Sequence, residues 1–285
     1  MKKFIKDWIL PPKVLEFIQR EISLYKLKKL DLSVIKINQK LKNKYKGKRC
    51  FILGNALTIK DIDITLLKDE YVFVMSTFYN HPDYSKLNNS IFSSVHLTGS
   101  KKYEENLKWM KAIDENTKST NIFFFDLAQK QMIEDNNLFI GKNIYYIATA
   151  NIKRSFDIST ITKNYETNVI QTLEVAMYLG FKEIYLHSVN INAICAEGKY
   201  DYFFDRIKLP YKDPGVNNDG SCNDFYKQIE SAYVASKGIF ECKKYADTHN
   251  IKIYYTNKES LLKFFEYKDF TFFDKNYKNT KKGKV

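Results

Sequence analysis

The stretch Ala176-Met177-Tyr178-Leu179-Gly180-Phe181-Lys182-Glu183-Ile184-Tyr185-Leu186 decides the fold class of this chain. Upstream of it, Thr167 to Leu179 places Val169, Ile170, Leu173, Val175 and Ala176 at helical spacing, and Gly180 stands where a helix C-cap belongs. Lys182 to Leu186 then has the length and apolar content of a buried strand. A helix closed by glycine and followed two residues later by a strand is the repeating unit of an alternating α/β domain.

The same alternation extends in both directions. Arg49-Cys50-Phe51-Ile52-Leu53 reads as the first strand, with Gly54-Asn55 after it and a helix expected near Ile62 to Leu67. Tyr71 to Met75, Ile91 to Leu97, Asn121 to Phe125 and Asn143 to Ala148 read as further strands, with an amphipathic stretch from Tyr103 to Ile113 between them. Asp224 to Asn250 is predicted as a long helix and Ile251 to Tyr255 as the terminal strand. The expected fold is α/β, a Rossmann-like and mostly parallel sheet with helices on both faces. A loop-rich stretch from 191 to 222 has the length and Gly/Pro content of a lid. The expected division is 1–46 as a basic amphipathic segment, 47–270 as the α/β domain, and 271–285 as a basic tail.

Location of charge narrows the partners. Of the net +13, residues 1–49 carry 15 Lys or Arg against 4 Asp or Glu, and residues 274–285 carry five Lys against one Asp. The middle is therefore slightly acidic. A nucleic-acid-binding core would carry its own basic face, so no nucleic-acid partner is expected. After Pro11-Pro12, the positions Val14, Leu15, Ile18, Ile22 and Tyr25 recur at helical spacing among Lys13, Arg20 and Lys26. Such a helix suits an anionic membrane surface, or else packs on the domain or on a second copy. No run of about 18 apolar residues is present to span a bilayer, and no secretory apolar core occurs at the N-terminus. The expected location is the cytoplasm, peripheral to the inner membrane. Cys50, Cys195, Cys222 and Cys242 lack any C-x-x-C or metal-ligand spacing and read as thiols.

Ligands of a doubly wound sheet bind beyond the carboxyl ends of the strands, near the switch in strand order. The loops there present neutral hydroxyls and amides, such as Asn55, Ser76, Thr77 and Thr98. They suit a nucleoside and its sugar, and neither GxxxxGK[ST] nor GxGxxG occurs. Asp61-Ile62-Asp63 has the D-x-D spacing of metal-binding transferases, but it lies where a helix begins and reads better as an N-cap. His249 reads as a helix-end dipole partner, His81 as solvated, and His187 as the histidine to test as a base.

The blocks Phe51 to Asn55, Lys60 to Asp63, Tyr71 to Tyr79 and Ala176 to Leu186 run in an order that resembles bacterial sialyltransferase-like proteins. That family includes lipooligosaccharide sialyltransferases and related proteins of surface-polysaccharide clusters. The resemblance implies a metal-independent glycosyltransferase without a separate cofactor. It would take a CMP-activated nonulosonic acid as donor and a glycan as acceptor. The family's first loop reads Gly-Asn-Gly-Pro-Ser, which Asn55 matches and Ala56, Leu57 and Thr58 do not. The family's later asparagines fall on Ser76 and Thr98, its Thr-Ser pair on Thr167-Asn168, its aspartate after the Ile184–Leu186 strand on Asn190, and its lid tyrosine on Tyr202. Its histidine base falls on Asn223, which cannot take a proton, so the catalytic candidates are Asp224 beside it and His187. A catalytically altered nucleotide-binding relative, and a pterin pyrophosphokinase-like enzyme using Mg²⁺, are the alternatives. Self-association stays open.

Overall fold

The computed structural model describes residues 11–75, 77–94, 103–189, 202–205, 208–209 and 225–273. Its centre is an eight-stranded sheet in the order β10-β9-β8-β1-β2-β3-β4-β5, every neighbouring pair parallel. The strands are β1 (Arg49–Leu53), β2 (Tyr71–Met75), β3 (Asn89–Ser94), β4 (Ile122–Asp126), β5 (Asn143–Ile147), β8 (Glu183–His187), β9 (Lys252–Tyr255) and β10 (Glu266–Tyr267). Two short strands, β6 (Thr149–Ala150) and β7 (Thr162–Lys163), pair separately. The helices are α1 (Pro12–Leu27), α2 (Ser33–Lys36), α3 (Tyr103–Glu115), α4 (Lys130–Asp135), α5 (Asn168–Tyr178) and α6 (Phe225–Thr248).

Burial on both faces explains why the strands read as apolar runs without alternation. Phe51 and Leu53 of β1, Val72 and Val74 of β2 and Phe123 and Phe125 of β4 join one cluster with Trp109, Met110 and Ile113 of α3. Cys50, Ile52, Phe73 and Phe124 face the opposite cluster with α5 and with Ile239 and Cys242 of α6. α5 ends as its sequence demands. Phe181 N–H donates to Ala176 O (3.2 Å) and Gly180 N–H to Met177 O (3.0 Å), with Gly180 at φ +90°. This is the Schellman geometry, which glycine adopts without Cβ strain.

Several expectations are corrected. The Ile62–Leu67 helix is instead two 3-10 turns, Leu57–Asp61 and Ile64–Leu67. Asp63 caps the second, its carboxylate accepting from Thr65 N (2.9 Å) and Thr65 Oγ1 (2.7 Å) and so held below its usual range. β9 is not the terminal strand, because β10 adds beyond it. Residues 33–46 pack into the α/β body. The buried Asn38 donates to Tyr146 O (2.8 Å) and Ile158 O (2.7 Å), and Tyr45 N–H donates to Leu179 O (2.8 Å).

α1 begins with Pro12 at its first position, where a missing N–H costs nothing. It docks by its polar side. Asn151 N–H donates to Ser23 Oγ (2.9 Å) and Asn151 Nδ2 to Gln19 Oε1 (3.2 Å), while Leu27 is buried beside them. Its apolar stripe turns outward, with Val14, Ile18 and Ile22 exposed, Phe17 58% exposed and Tyr25 63%.

Candidate functional site

The chain order reverses at β1. Strands β2 to β5 add on one side of it and β8 to β10 on the other, so the switch lies between the carboxyl ends of β1 and β8. These two ends are drawn tightly together. Gly54 N–H donates to His187 O (2.8 Å), and a Cβ on Gly54 would lie 2.0 Å from Ser188 O. Only glycine fits there. Ser188, opposite, sits at φ +53°, a conformation that costs a non-glycine residue about 1–2 kcal/mol.

Neutral polar groups converge on this junction. Asn55 Nδ2 donates to Thr77 Oγ1 (2.9 Å) and points at Met75 O (3.5 Å), which turns its Oδ1 the other way. That oxygen is buried and has no hydrogen-bond partner among the described residues. Thr58 Oγ1 lies 3.1 Å from Ser188 Oγ and accepts from Asn257 Nδ2 (3.1 Å). The first loop is thereby tied to the loop after β8 and to the end of β9.

His187 ends β8 and is 4% exposed. Its Nε2 donates to the Thr58 carbonyl (3.2 Å), and its Nδ1 lies 2.8 Å from Thr256 Oγ1, a hydroxyl also 3.1 Å from Leu186 O. Burial pushes its pKa down to about 4, against weaker upward pulls from the Thr58 carbonyl and Asp61. The folded pKa lies below the unfolded value of 6.5, so the stability from the neutral ring is complete above pH 6.5 and lost as pH falls toward 4. Unfolding by urea at pH 7.5 and 5.0 should show a loss of about 2 kcal/mol that His187→Gln removes. An equal pH dependence in that variant would refute the assignment.

On the far side of β1, Thr167 caps α5, its hydroxyl accepting from Ile170 N (3.4 Å), and Asn168 opens the helix half-buried. The first turn also supplies Gln171, whose Nε2 points at Phe124 O at 3.5 Å and whose Oε1 is buried without a partner among the described residues. Ser93, near the carboxyl end of β3, has a buried hydroxyl in the same condition. The sequence reading missed both. Gln171 sits within an apolar helix pattern and Ser93 among other serines of its strand, so spacing gave no signal for either.

Part of the 191–222 stretch also reaches the junction. Phe203 N–H donates to Asn55 O (3.2 Å), and Tyr202 forms an antiparallel bridge with Ala56. Phe203 packs edge-on against Phe78 and His81. His81 is consequently buried against the stacked Phe78 ring rather than solvated. His249 stacks on Tyr245 at 3.8 Å at the end of α6, with its Nδ1 2.8 Å from the Tyr245 carbonyl. Ser76, His96, Thr98, Asn190, Asn223 and Asp224 lie outside the described residues.

Fold and site together define a doubly wound α/β protein with an amide- and hydroxyl-lined junction at its topological switch. The solved structures it resembles include a single-residue variant of the sialyltransferase CST-II in complex with CMP. That match has a TM-score of 0.43 and 18% identity, and it covers 77% of this chain and 85% of the other. The aldolase QR15 matches at a TM-score of 0.24 and 12% identity over 76% and 81%. Both likenesses are too distant to assign an activity or a residue's role. No family model and no curated protein matches the sequence.

Proposed function

We propose that this protein is a glycosyltransferase of bacterial surface-glycan assembly that binds the nucleoside end of a CMP-activated nonulosonic acid at the β1/β8 junction. The observation that supports it best is Asn55 Oδ1 at the junction, buried and without a hydrogen-bond partner among the described residues. An amide oxygen only accepts, so it calls for a ligand that donates, such as ribose hydroxyls or the amino group of cytosine. A buried oxygen left without a donor costs about 1–3 kcal/mol, which a ligand of that kind would recover. The choice of CMP rests on the sequence resemblance, and the junction's neutral lining agrees with it. Thr77, Thr167 and Asn168 serve the same nucleotide, with Ser76, Thr98, Asn190 and Asn223 as further contacts, and Tyr202 bears on the donor phosphate.

Of the two candidate bases, His187 has both ring nitrogens engaged and is held neutral with a low pKa. A base so weak and so enclosed has little capacity to take a proton from an acceptor hydroxyl. Asp224, directly before α6, is therefore the base in this reading, with His187 holding the junction together.

Thermal unfolding with CMP, CDP, UDP and ATP, each with and without Mg²⁺, tests the proposal. CMP at about 100 times its dissociation constant should stabilise by about 2.7 kcal/mol without Mg²⁺. Asn55→Ala should weaken CMP roughly tenfold, equivalent to about 1.4 kcal/mol. Stabilisation by ATP only with Mg²⁺, or by no nucleotide, would remove the transferase reading.

The outward apolar stripe of α1, flanked by Lys13, Lys28 and Lys29, supports attachment to an anionic membrane surface. Among the described residues no helix is long and apolar enough to cross a membrane. The full chain should float with phosphatidylglycerol vesicles and Phe17→Glu should not; equal flotation of both would contradict the attachment.

A further inference from the structure

α6 carries a buried glycine, Gly238, in its interior. Glycine is among the least favourable residues for a helix interior, and no left-handed backbone angle calls for it at this position. Its neighbours do. A Cβ at Gly238 would lie 2.4 Å from Ile170 Cδ1, 3.1 Å from Glu166 Oε2 and 3.4 Å from Ile170 Cγ1. Both residues belong to the start of α5, Ile170 in its first turn and Glu166 directly before the Thr167 cap. α6 therefore crosses α5 at its N-terminal end, with no space for a methyl group between them.

Neither neighbour is free to yield. Ile170 is fully buried, in the same core cluster as Leu173, Ile239 and Cys242. Glu166 is held by both carboxylate oxygens, Oε1 at 2.8 Å from Lys163 Nζ and Oε2 at 2.9 Å from Arg154 Nη2. Glu241, about one turn further along α6, reaches the same two cations at 3.4 and 3.6 Å. The crossing is thus fixed by packing on one side and by charge on the other. Ile170 also transmits any displacement, because its own N–H donates to the Thr167 carbonyl (3.2 Å) and hydroxyl (3.4 Å). In the same turn, Thr172 Oγ1 donates to Asn168 O (2.7 Å).

We infer that Gly238 is a positioning residue: the close crossing of α6 holds the first turn of α5, and so sets how Thr167 and Asn168 meet the nucleotide. The hold on α5 stands on the contacts above, and its effect on the nucleotide rests on the transferase reading. A methyl at position 238 has two outlets. It pushes Ile170 into the turn that carries the Thr167 cap, or it lifts α6 from α5 and draws Glu241 away from Arg154 and Lys163. Either displaces the cap, and hydrogen bonds weaken steeply once their geometry is lost. A loosely packed crossing would behave in the opposite way, since alanine would add helix propensity and stabilise the chain. The sign of the effect separates the two cases.

Gly238→Ala, Ile170→Val and the double variant test this on the full chain, by thermal unfolding, amide hydrogen exchange over residues 166–173 and CMP titration. Ile170→Val deletes Cδ1, the atom at 2.4 Å, and so opens the space an alanine needs. Gly238→Ala alone should lower the melting point by roughly 2–6 °C, speed exchange in the first turn of α5 about tenfold and weaken CMP about tenfold. In the Ile170→Val background the same substitution should change exchange and CMP affinity by less than about threefold. If Gly238→Ala does not fold, a folded double variant that binds CMP supports the inference, and a double variant that also fails to fold overturns it. A raised melting point with exchange and affinity unchanged overturns it, as do equal losses in both backgrounds. A lowered melting point with exchange and affinity unmoved also overturns it, because Gly238 then serves packing alone. Absence of CMP binding by the unaltered chain removes the transferase reading and the nucleotide part of the inference, and the exchange comparison then decides the hold on α5 by itself.

Discussion

Arg154→Met should cost about 3–5 kcal/mol in urea unfolding at pH 7, the expected penalty for breaking a buried charge cluster from one side. Arg154 has its guanidinium within reach of three carboxylates, at 2.9 Å from Glu166, 3.3 Å from Glu174 and 3.4 Å from Glu241. Lys163 adds a second cation, 2.8 Å from Glu166. Glu174 is 0% exposed, and it also accepts hydrogen bonds from the Tyr165 hydroxyl (3.0 Å) and from Thr162. Burial already pushes its carboxyl up, against the pull of Arg154. Methionine fills much of the same volume, so what is lost is charge compensation more than packing. Adding Glu174→Gln should recover a substantial part of the loss, because it removes the carboxylate that Arg154 neutralised. A single-variant cost below about 1 kcal/mol would show that the cluster is solvated and not structural. The cluster ties the loop before β7 to α5 and α6, so the same variant should also loosen the first turn of α5 and weaken CMP binding.

Gly54→Ala is the second large effect expected. The new methyl would lie 2.0 Å from Ser188 O, 2.6 Å from Ser188 C and 3.0 Å from Val189 N. All three are backbone atoms and cannot swing aside. Relief requires the ends of β1 and β8 to separate, which breaks the bond from Gly54 N to His187 O and strains the Thr58–Ser188 and Thr58–His187 contacts. We expect a loss of about 3 kcal/mol or more, at the upper end for overpacking, together with loss of the CMP-induced melting shift. Gly141→Ala is the control. It has φ +74° but nothing within 4 Å of the added carbon, so it should cost only the ~1–2 kcal/mol of the left-handed conformation and leave CMP binding intact. Equal effects at the two glycines would show that close approach at the switch is not what selects Gly54.

The contrast between these positions shows which parts of the molecule could be read in advance. Gly180 announces itself as a helix cap, a role set by neighbours within five residues, although the distant Asn43 also lies 2.9 Å from where its Cβ would stand. Thr167 as N-cap and Asp63 as cap are legible for the same reason. Gly54 is different. Its sequence context suggests a turn, yet its necessity comes from Ser188, more than a hundred residues away. The histidines divide likewise. His249 meets a residue four positions earlier on its own helix, whereas His187 meets Thr58 and Thr256 and His81 meets Phe203, none of them near in sequence.

The site separates along the same line. Asn55 stands out as a polar residue directly after an apolar strand, and the Thr167–Asn168 pair by the family resemblance. Ser93 and Gln171 do not: Gln171 is one polar residue inside an apolar helix pattern, and Ser93 is one serine among several in its strand. Their significance is that no partner among the described residues meets their side-chain oxygens, which is a property of everything that surrounds them in space.

What the chain determines by itself is therefore local and periodic: where strands and helices lie, where glycines and hydroxyls stop them, and that both sheet faces are covered. These follow from short-range sterics and from a hydrophobic pattern that any reader of the sequence can count. Tertiary structure decided the rest. It set the strand order that puts β8 beside β1, turned the apolar stripe of α1 outward, neutralised His187, and left the Asn55 and Gln171 amide oxygens without partners among the described residues. Those outcomes depend on which distant segments exclude water from one another, and no local spacing records that.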